Sequence, residues 1–199
     1  MTSVSAILLA AGLSSRMDGL NKLLLPWGKT TLIEHVLSQL LLSNVEEVVL
    51  VLGRDADSIK NLVGTHWKLK IVENHNYESG MTSSIQEGVK KAKGNAYMIC
   101  LSDMPLLHPS DYNALIHNYE STLTASKDIL LPQYEGQKAN PVIFNAVYKN
   151  AILNHTEANG CSGIVKQHAD RVIRFEAGND HFVLDIDTIS DYQKLKSAQ

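Results

Sequence analysis

The stretch that decides the fold is Ala6-Ile-Leu-Leu-Ala-Ala-Gly-Leu-Ser-Ser-Arg16-Met-Asp-Gly-Leu-Asn-Lys22. Its uncharged apolar opening, Ala6 to Leu9, predicts a strand buried on both faces, and the abrupt change to small residues predicts a tight loop at the end of that strand. The loop carries Gly12 and Gly19, hydroxyls at Ser14 and Ser15, and cations at Arg16 and Lys22. Small residues let backbone approach a ligand, amides can turn inward, and the cations neutralise charge, which is what a polyphosphate requires. A buried first strand of any α/β protein can end in Ala-Gly without a ligand. Arg16 and Lys22 are what tilt the reading toward phosphate.

Better-known phosphate motifs do not fit. Gly28-Lys29-Thr30 looks like the end of a P-loop, but the position five residues before Gly28 is Leu23, so the glycine cradle is missing. No Gly-x-Gly-x-x-Gly follows a predicted strand, which removes the main argument for a dinucleotide-binding domain. With 199 residues and a formal net charge of −3, the chain predicts one domain over residues 1–199 and no general attraction for nucleic acid or an anionic membrane. The apolar run behind Met1 to Ser5 is too short for a signal sequence or a membrane span, so a cytoplasmic protein is expected. Cys100 and Cys161 lack metal-ligand spacing and predict free thiols.

Outward from the opening stretch, Leu23 to Pro26 predicts a short extended piece. Thr30 or Thr31 caps a helix to about Ser43, whose apolar positions at helical spacing cover one side of a sheet. Glu47 to Leu52 predicts a second buried strand ending at Gly53-Arg54, where a loop can again approach a ligand. A helix from about Asp55 to Val63 and a strand from Leu69 to Val72 follow. The polar run from Asn74 turns at Gly80 and starts a helix near Thr82, whose free amides, with Ser83 and Ser84, suit a nucleobase edge or an anion as well as an ordinary cap. Ala96 to Leu101 is a fourth strand, delivering Asp103 to the edge where open α/β sheets bind ligands. The helix after Asp103 begins near Pro109.

Beyond Leu123, Ile129 to Pro132 and Val142 to Phe144 predict paired strands around the loop Gln133 to Asn140. Short helices end near Leu153 and His168, and Arg171 to Phe175 is extended. His181 to Ile186 predicts a strand on which Asp185 and Asp187 share a side. Thr188 with Asp191 predicts a capping box, and Asp187 is the freer of the aspartate pair to bind metal. Cys161, between glycines at a helix start, is either a space-filling residue or a thiol of lowered pKa.

The segments Leu9-Ala-Ala-Gly12, Arg16-Met17 through Asn21-Lys22 to Pro26, Tyr77-Glu-Ser-Gly-Met81 with Ser84, Leu101-Ser-Asp-Met-Pro105, Asn140-Pro-Val-Ile-Phe144 and Asp185-Ile-Asp-Thr188 together resemble the nucleotidyltransferases that attach a nucleotide to the molybdenum cofactor. The cytidylyltransferase branch is the nearest match. The resemblance spans almost the whole chain and implies a Rossmann-like three-layer αβα fold with a mostly parallel central sheet. It implies that Leu9, Ala10, Ala11 and Gly12 wrap the nucleotide and that Arg16 and Lys22 hold its phosphates as catalytic cations. Gly80 and Ser84 would contact the base, with Asp103 in the nucleotide site and Asp103 and Asp187 binding Mg2+. The pair Ala10-Ala11 looks like the cytidine-preferring form, making CTP the expected nucleotide and molybdopterin the expected phosphorylated acceptor.

Three departures stand out. Gly160-Cys161-Ser162-Gly163-Ile164-Val165 replaces a Gly-Asp-x-Gly followed by a basic residue, Asn140 stands where histidine is common, and Asp18 takes the place of a usual glycine. Within the resemblance the alternative is another NTP transferase, guanylyl or sugar/alcohol-phosphate cytidylyl. Two further rival readings follow from the residues: a glycosyltransferase, because Asp185-x-Asp187 imitates a metal-binding pair for sugar nucleotides, and a non-catalytic nucleotide-binding regulator, because of the altered segment around Cys161.

Overall fold

The first strand, β1 (Val4–Ala10), is buried along its whole length, and its side chains divide by parity. Ala6, Leu8 and Ala10 enter one apolar core, Ile7 and Leu9 the other. This is the period-2 alternation of a strand covered on both faces. The computed structural model describes residues 2–17 and 19–197; the departure at Asp18 lies outside them. β2 (Glu47–Leu52) and β4 (Ala96–Leu101) divide in the same way. With β3 (Leu69–Glu73), β5 (Ile129–Tyr134), the two-residue β6 (Gln137–Lys138), β7 (Val142–Asn145) and β8 (Val172–Glu176), they form a sheet in the order β8-β5-β7-β4-β1-β2-β3, with β6 on β5.

β1 runs parallel to β2 and β4, β2 to β3, and β8 to β5. The reversed strand β7 sits antiparallel between β4 and β5, with Ile99 opposite Val142 and Ile129 opposite Phe144. Helices α1 (Leu32–Leu42), α2 (Ala56–Val63) and α4 (Pro109–Thr122) supply Leu32, Ile33, Val36, Ile59, Tyr112 and Leu115 to one core. α3 (Met81–Lys91), α5 (Lys149–Leu153) and α6 (Ser162–Gln167) supply Ile85, Val89, Ile152 and Ile164 to the other. Each such fully buried side chain stabilises the fold by about 1.5–3 kcal/mol. The result is the expected three-layer αβα arrangement around a mostly parallel sheet. No described helix is long and apolar enough to cross a membrane.

Two helix starts follow the sequence closely. At α1, Thr31 accepts from the Glu34 amide while the Glu34 carboxylate accepts from the Thr31 amide at 2.8 Å, a reciprocal cap. The last helix, α7 (Ile189–Ser197), begins the same way: Asp191 Oδ2 accepts from the Thr188 amide at 2.8 Å and from its hydroxyl at 2.7 Å. α3 reaches the sheet closely because Gly88 has no side chain; a Cβ there would stand 2.3 Å from Ile7 Cγ2.

Two expectations are corrected. Leu23 to Pro26 is not simply extended: Lys22–Leu24 forms a 3-10 turn, because the Asn21 side chain accepts from the Leu23 amide at 3.0 Å and caps it. His181 to Ile186 is not a strand. Asn179 caps a 3-10 turn over Asp180–Phe182, and the chain then crosses the ends of the sheet, with Asn140 N–H donating to Phe182 O at 3.1 Å and Ile186 N–H to Asp103 O at 2.9 Å. Its buried anchors are Phe182 and Ile186, a spacing a strand would also allow; what departs from a strand is the 3-10 turn at its start.

Candidate active site

Past β1 the chain makes a loop that the rest of the molecule braces from outside. Buried Met17 pins it to the core, Ser14 adopts a left-handed conformation at φ 49°, and its hydroxyl accepts from the Lys22 amide at 3.3 Å. The Arg54 guanidinium, just past β2, donates to Leu13 O and, at 2.9 Å, to Gly19 O. Asn21 donates to Asp55 Oδ2 at 3.0 Å. Gly12 is different in kind. A Cβ there would meet nothing within 4 Å, so no protein packing demands its smallness, and the open side faces a cavity of about 320 Å³. That volume falls in the range of small-molecule clefts, roughly 300–1,000 Å³.

One end of this cavity is charged. Lys22 Nζ donates to Asp103 Oδ2 and to Ile186 O, both at 2.6 Å, and lies 3.6 Å from Asp187 Oδ1. Arg16 Nη1 pairs with Asp187 Oδ2 at 2.9 Å. Asp103 stands two residues beyond β4, whose end is tied to β1 by the Ser102 hydroxyl donating to Leu9 O at 2.6 Å. Asp103, Asp185 and Asp187 can each offer one oxygen with all three oxygens within 4.8 Å of one another. Partial burial, then the negative charges of Asp103 and Asp187, push the Asp185 carboxyl upward, with Lys22 pulling the other way.

Two cations against three carboxylates leave an uncompensated negative charge, and Asp103 Oδ1 is buried with no hydrogen-bond partner among the described residues. A buried carboxylate oxygen left unpaired is costly. An all-oxygen set with an orphaned member is what a hard divalent cation such as Mg2+ accepts, so the residues present fit a metal.

The other end is less polar and is shaped by Leu9, Ala11, Tyr77, Glu78, Gly80 and Ser84. Gly80 turns the chain into α3 at φ 113°, and a Cβ there would lie 2.8 Å from Ala158 O, so both conformation and contact require glycine. Ser84 is buried on the first turns of α3.

The cavity therefore gathers Leu9, Ala11, Gly12, Arg16, Lys22, Gly80, Ser84, Asp103 and Asp187 from four separate stretches of chain. Ala10 is the exception among the expected residues, because strand alternation sends its side chain into the opposite core. Sequence reasoning set Asp185 behind Asp187, yet the structure groups both with Asp103; the Asp-x-Asp spacing was the signal. Arg54 and Asn74 bear on the site without a motif to announce them.

A second hollow of about 270 Å³ adjoins the first, sharing Met81 and Leu101, and is walled by Ile99, Lys138, Asn140, Phe144, Cys161 and Val165 among others. Both described departures from the resemblance fall here. Cys100 and Cys161 are free and buried. Burial pushes the Cys161 thiol up to about 12, so of the two expectations for this residue the lowered pKa is corrected.

Comparison with known proteins agrees with this architecture. The chain is 26% identical over 196 residues to nicotine blue oxidoreductase of Paenarthrobacter nicotinovorans, covering 96% of both. It is 24% identical over 203 residues to the molybdenum cofactor cytidylyltransferase of Escherichia coli strain K12, covering 98% of this chain and 97% of that one. It is 28% identical over 206 residues to a probable molybdenum cofactor guanylyltransferase of Carboxydothermus hydrogenoformans, covering 98% and 96%. Its fold superposes on a nucleotidyl transferase from Methanothermobacter thermautotroptrophicus with a TM-score of 0.84 at 21% identity, covering 98% and 97%. Residues 6–172 match the MobA-like NTP transferase domain, and the chain belongs to that family of nucleotidyltransferases.

Proposed function

We propose that this nucleotidyltransferase moves CMP from CTP to the phosphate of molybdopterin or its molybdenum-loaded form, with Mg2+ as cofactor and pyrophosphate as the second product. The observation that carries the reading is the meeting of Lys22 with Asp103 and Asp187 at 2.6 and 3.6 Å in one cavity. An acceptor phosphate oxygen attacks the α-phosphorus while the bond to the β-phosphate oxygen breaks. No protein nucleophile is needed, because the acceptor is already anionic.

What this chain must do is hold two anions together and stabilise charge on the leaving pyrophosphate. Arg16 and Lys22 serve that end by binding the phosphates, and Gly12 leaves room for them. Gly80 and Ser84 orient the base, and the second hollow receives the acceptor. Asp103, Asp187 and Asp185 would hold the cation, which when bound neutralises phosphate charge and draws electrons from the phosphoryl group. The preference for CTP rests on the Ala10-Ala11 pair.

The test is release of pyrophosphate from each nucleoside triphosphate with molybdopterin, its molybdenum form and small phosphorylated alcohols as acceptors. Turnover with CTP and molybdopterin is expected, and Lys22→Ala should lower it by about 10²–10³. Full activity of Lys22→Ala, or release of a nucleoside diphosphate in place of pyrophosphate, would sink the assignment. Higher turnover with GTP would replace CTP alone.

A further inference from the structure

Asn74 follows β3 directly and is 3% exposed, and every hydrogen bond it makes has a fixed direction. Its own amide donates to Leu52 O at 2.8 Å, extending the β2–β3 ladder by one residue. Its Oδ1 accepts from the Asn76 amide at 2.9 Å. Because an amide N–H can face only the oxygen of the carboxamide, this contact decides which way the Asn74 side chain points. The Nδ2 group must then face α3, where it donates to Ser83 Oγ at 2.8 Å and Ser84 Oγ at 3.0 Å.

The two serines differ in what remains. The Ser83 hydroxyl donates to Gly80 O at 2.8 Å and lies 3.0 Å from Asn76 O, so its hydrogen is used within the turn. Ser84 Oγ accepts from Asn74 and donates to no protein acceptor among the described residues, and Ser84 lines the 320 Å³ cavity.

We infer that Asn74 is a positioning residue for nucleotide specificity: it occupies one lone pair of Ser84 Oγ and leaves the hydroxyl hydrogen to be donated toward the base, so an edge that carries an acceptor there, a ring nitrogen or carbonyl, is favoured over an amino group. The inference rests on reading the cavity as the nucleotide site. Polarity runs one way, from the Asn76 amide through Asn74 to the Ser84 hydroxyl, and a hydroxyl that already accepts a hydrogen bond is the stronger donor for it. A base edge with an amino group at that point has only the second lone pair of Ser84 Oγ to donate to, and it leaves the hydroxyl hydrogen buried without an acceptor.

The isosteric Asn74→Asp tests this directly. Its carboxylate still accepts from the Asn76 amide, but accepts from the Ser84 hydroxyl instead of donating to it, so the chain of donors reverses. Measured by calorimetry with CTP and Mg2+, Asn74→Asp should weaken binding roughly tenfold, and in steady state the loss should fall on KM for CTP rather than on kcat. In a Ser84→Ala background the same substitution should cost almost nothing further, because the donor it controls is gone. Additive losses in that cycle would overturn the inference, since they mark Asn74 as a general support of the turn.

Ser84→Ala alone leaves every Asn74 contact but one in place, so it keeps the test open even if Asn74→Asp does not fold: wild-type affinity in Ser84→Ala overturns the inference by itself. Failure of the wild-type protein to bind any nucleoside triphosphate would instead sink the functional assignment on which the inference stands.

Discussion

At the scale of single residues, charge is allocated before any substrate enters the account. Lys22 donates to a carboxylate and to a backbone carbonyl at once, so under the proposed function a phosphate would have to compete with Asp103 for it, and a cation held by the aspartates would shift that competition. Asp103→Asn should therefore remove metal dependence along with activity: a divalent cation that raises the thermal midpoint of the wild-type protein should leave that of the variant unchanged. Glu47 illustrates a structural carboxylate by contrast. Burial works to raise its pKa, but the Lys70 ammonium, the Lys93 amide and the Ser5 hydroxyl outweigh it and hold the carboxyl below its ordinary value of 4.5. Its stabilising contribution is thus complete above that range and lost as the pH falls through the depressed folded value. Glu47→Gln should cost about 1–3 kcal/mol at neutral pH and flatten the fall in stability seen in acid, as urea titrations across pH would register.

The residues legible from sequence were those whose side-chain chemistry and position coincide. Lys22, Asp103 and Asp187 are charged groups next to strand ends or helix starts. The roles of Asn74 and Arg54 were not legible, although the loop at Gly53-Arg54 was read as near a ligand, because their work is done on partners brought near only by the sheet: Leu52 O and Ser84 in one case, Leu13 O and Gly19 O in the other. Arg54→Ala should raise KM for the triphosphate several-fold by loosening the loop, while leaving the aspartate cluster and its metal affinity as they are; isothermal titration with metal alone separates the two effects.

Among elements, α3 shows packing overriding propensity. Gly88→Ala would gain roughly 0.8–1 kcal/mol of helix propensity in isolation, yet its Cβ would meet Ile7 Cγ2 at 2.3 Å inside a filled core. Overpacking of this kind typically costs 1–3 kcal/mol, so a net loss of stability is expected and a denaturant midpoint measures it. The strands β1, β2 and β4 could be read from their apolar runs, and α1 and α7 from their caps. The segment from His181 to Ile186 could not, because the apolar run Phe182-Val-Leu184 followed by Ile186 mimics a strand locally. Only the tie from Ile186 N–H to Asp103 O reveals that it crosses the sheet ends, and it is this crossing that delivers Asp185 and Asp187 to the cluster.

For the whole molecule, ligand and metal should act as one. Two cations face three carboxylates, so under the proposed function CTP without a divalent ion would meet net repulsion, whereas the pair would satisfy both sides. At a concentration 100 times Kd the pair would stabilise the protein by about 2.7 kcal/mol. For a chain of this size that is a rise of roughly 5–10 °C in Tm, against little change for CTP with a chelator. Equal shifts with and without the ion would contradict this coupling.

Strand order was the part of the architecture that sequence could not supply, since β7 lies between β4 and β5 in space while following both in the chain. Its reversal has an evolutionary consequence. A strand inserted head to tail brings its entry segment, Asn140 to Val142, to the rim where its neighbour β4 finishes, opposite Ile99. Mutations in that segment and in the turn around Cys161 can therefore remodel the second hollow while the apolar ladder behind it, and the loop from Gly12 to Lys22 across the rim, stay unaltered. Such a division would let descendants of one ancestral scaffold exchange one partner molecule for another without having to reinvent the grip on the first.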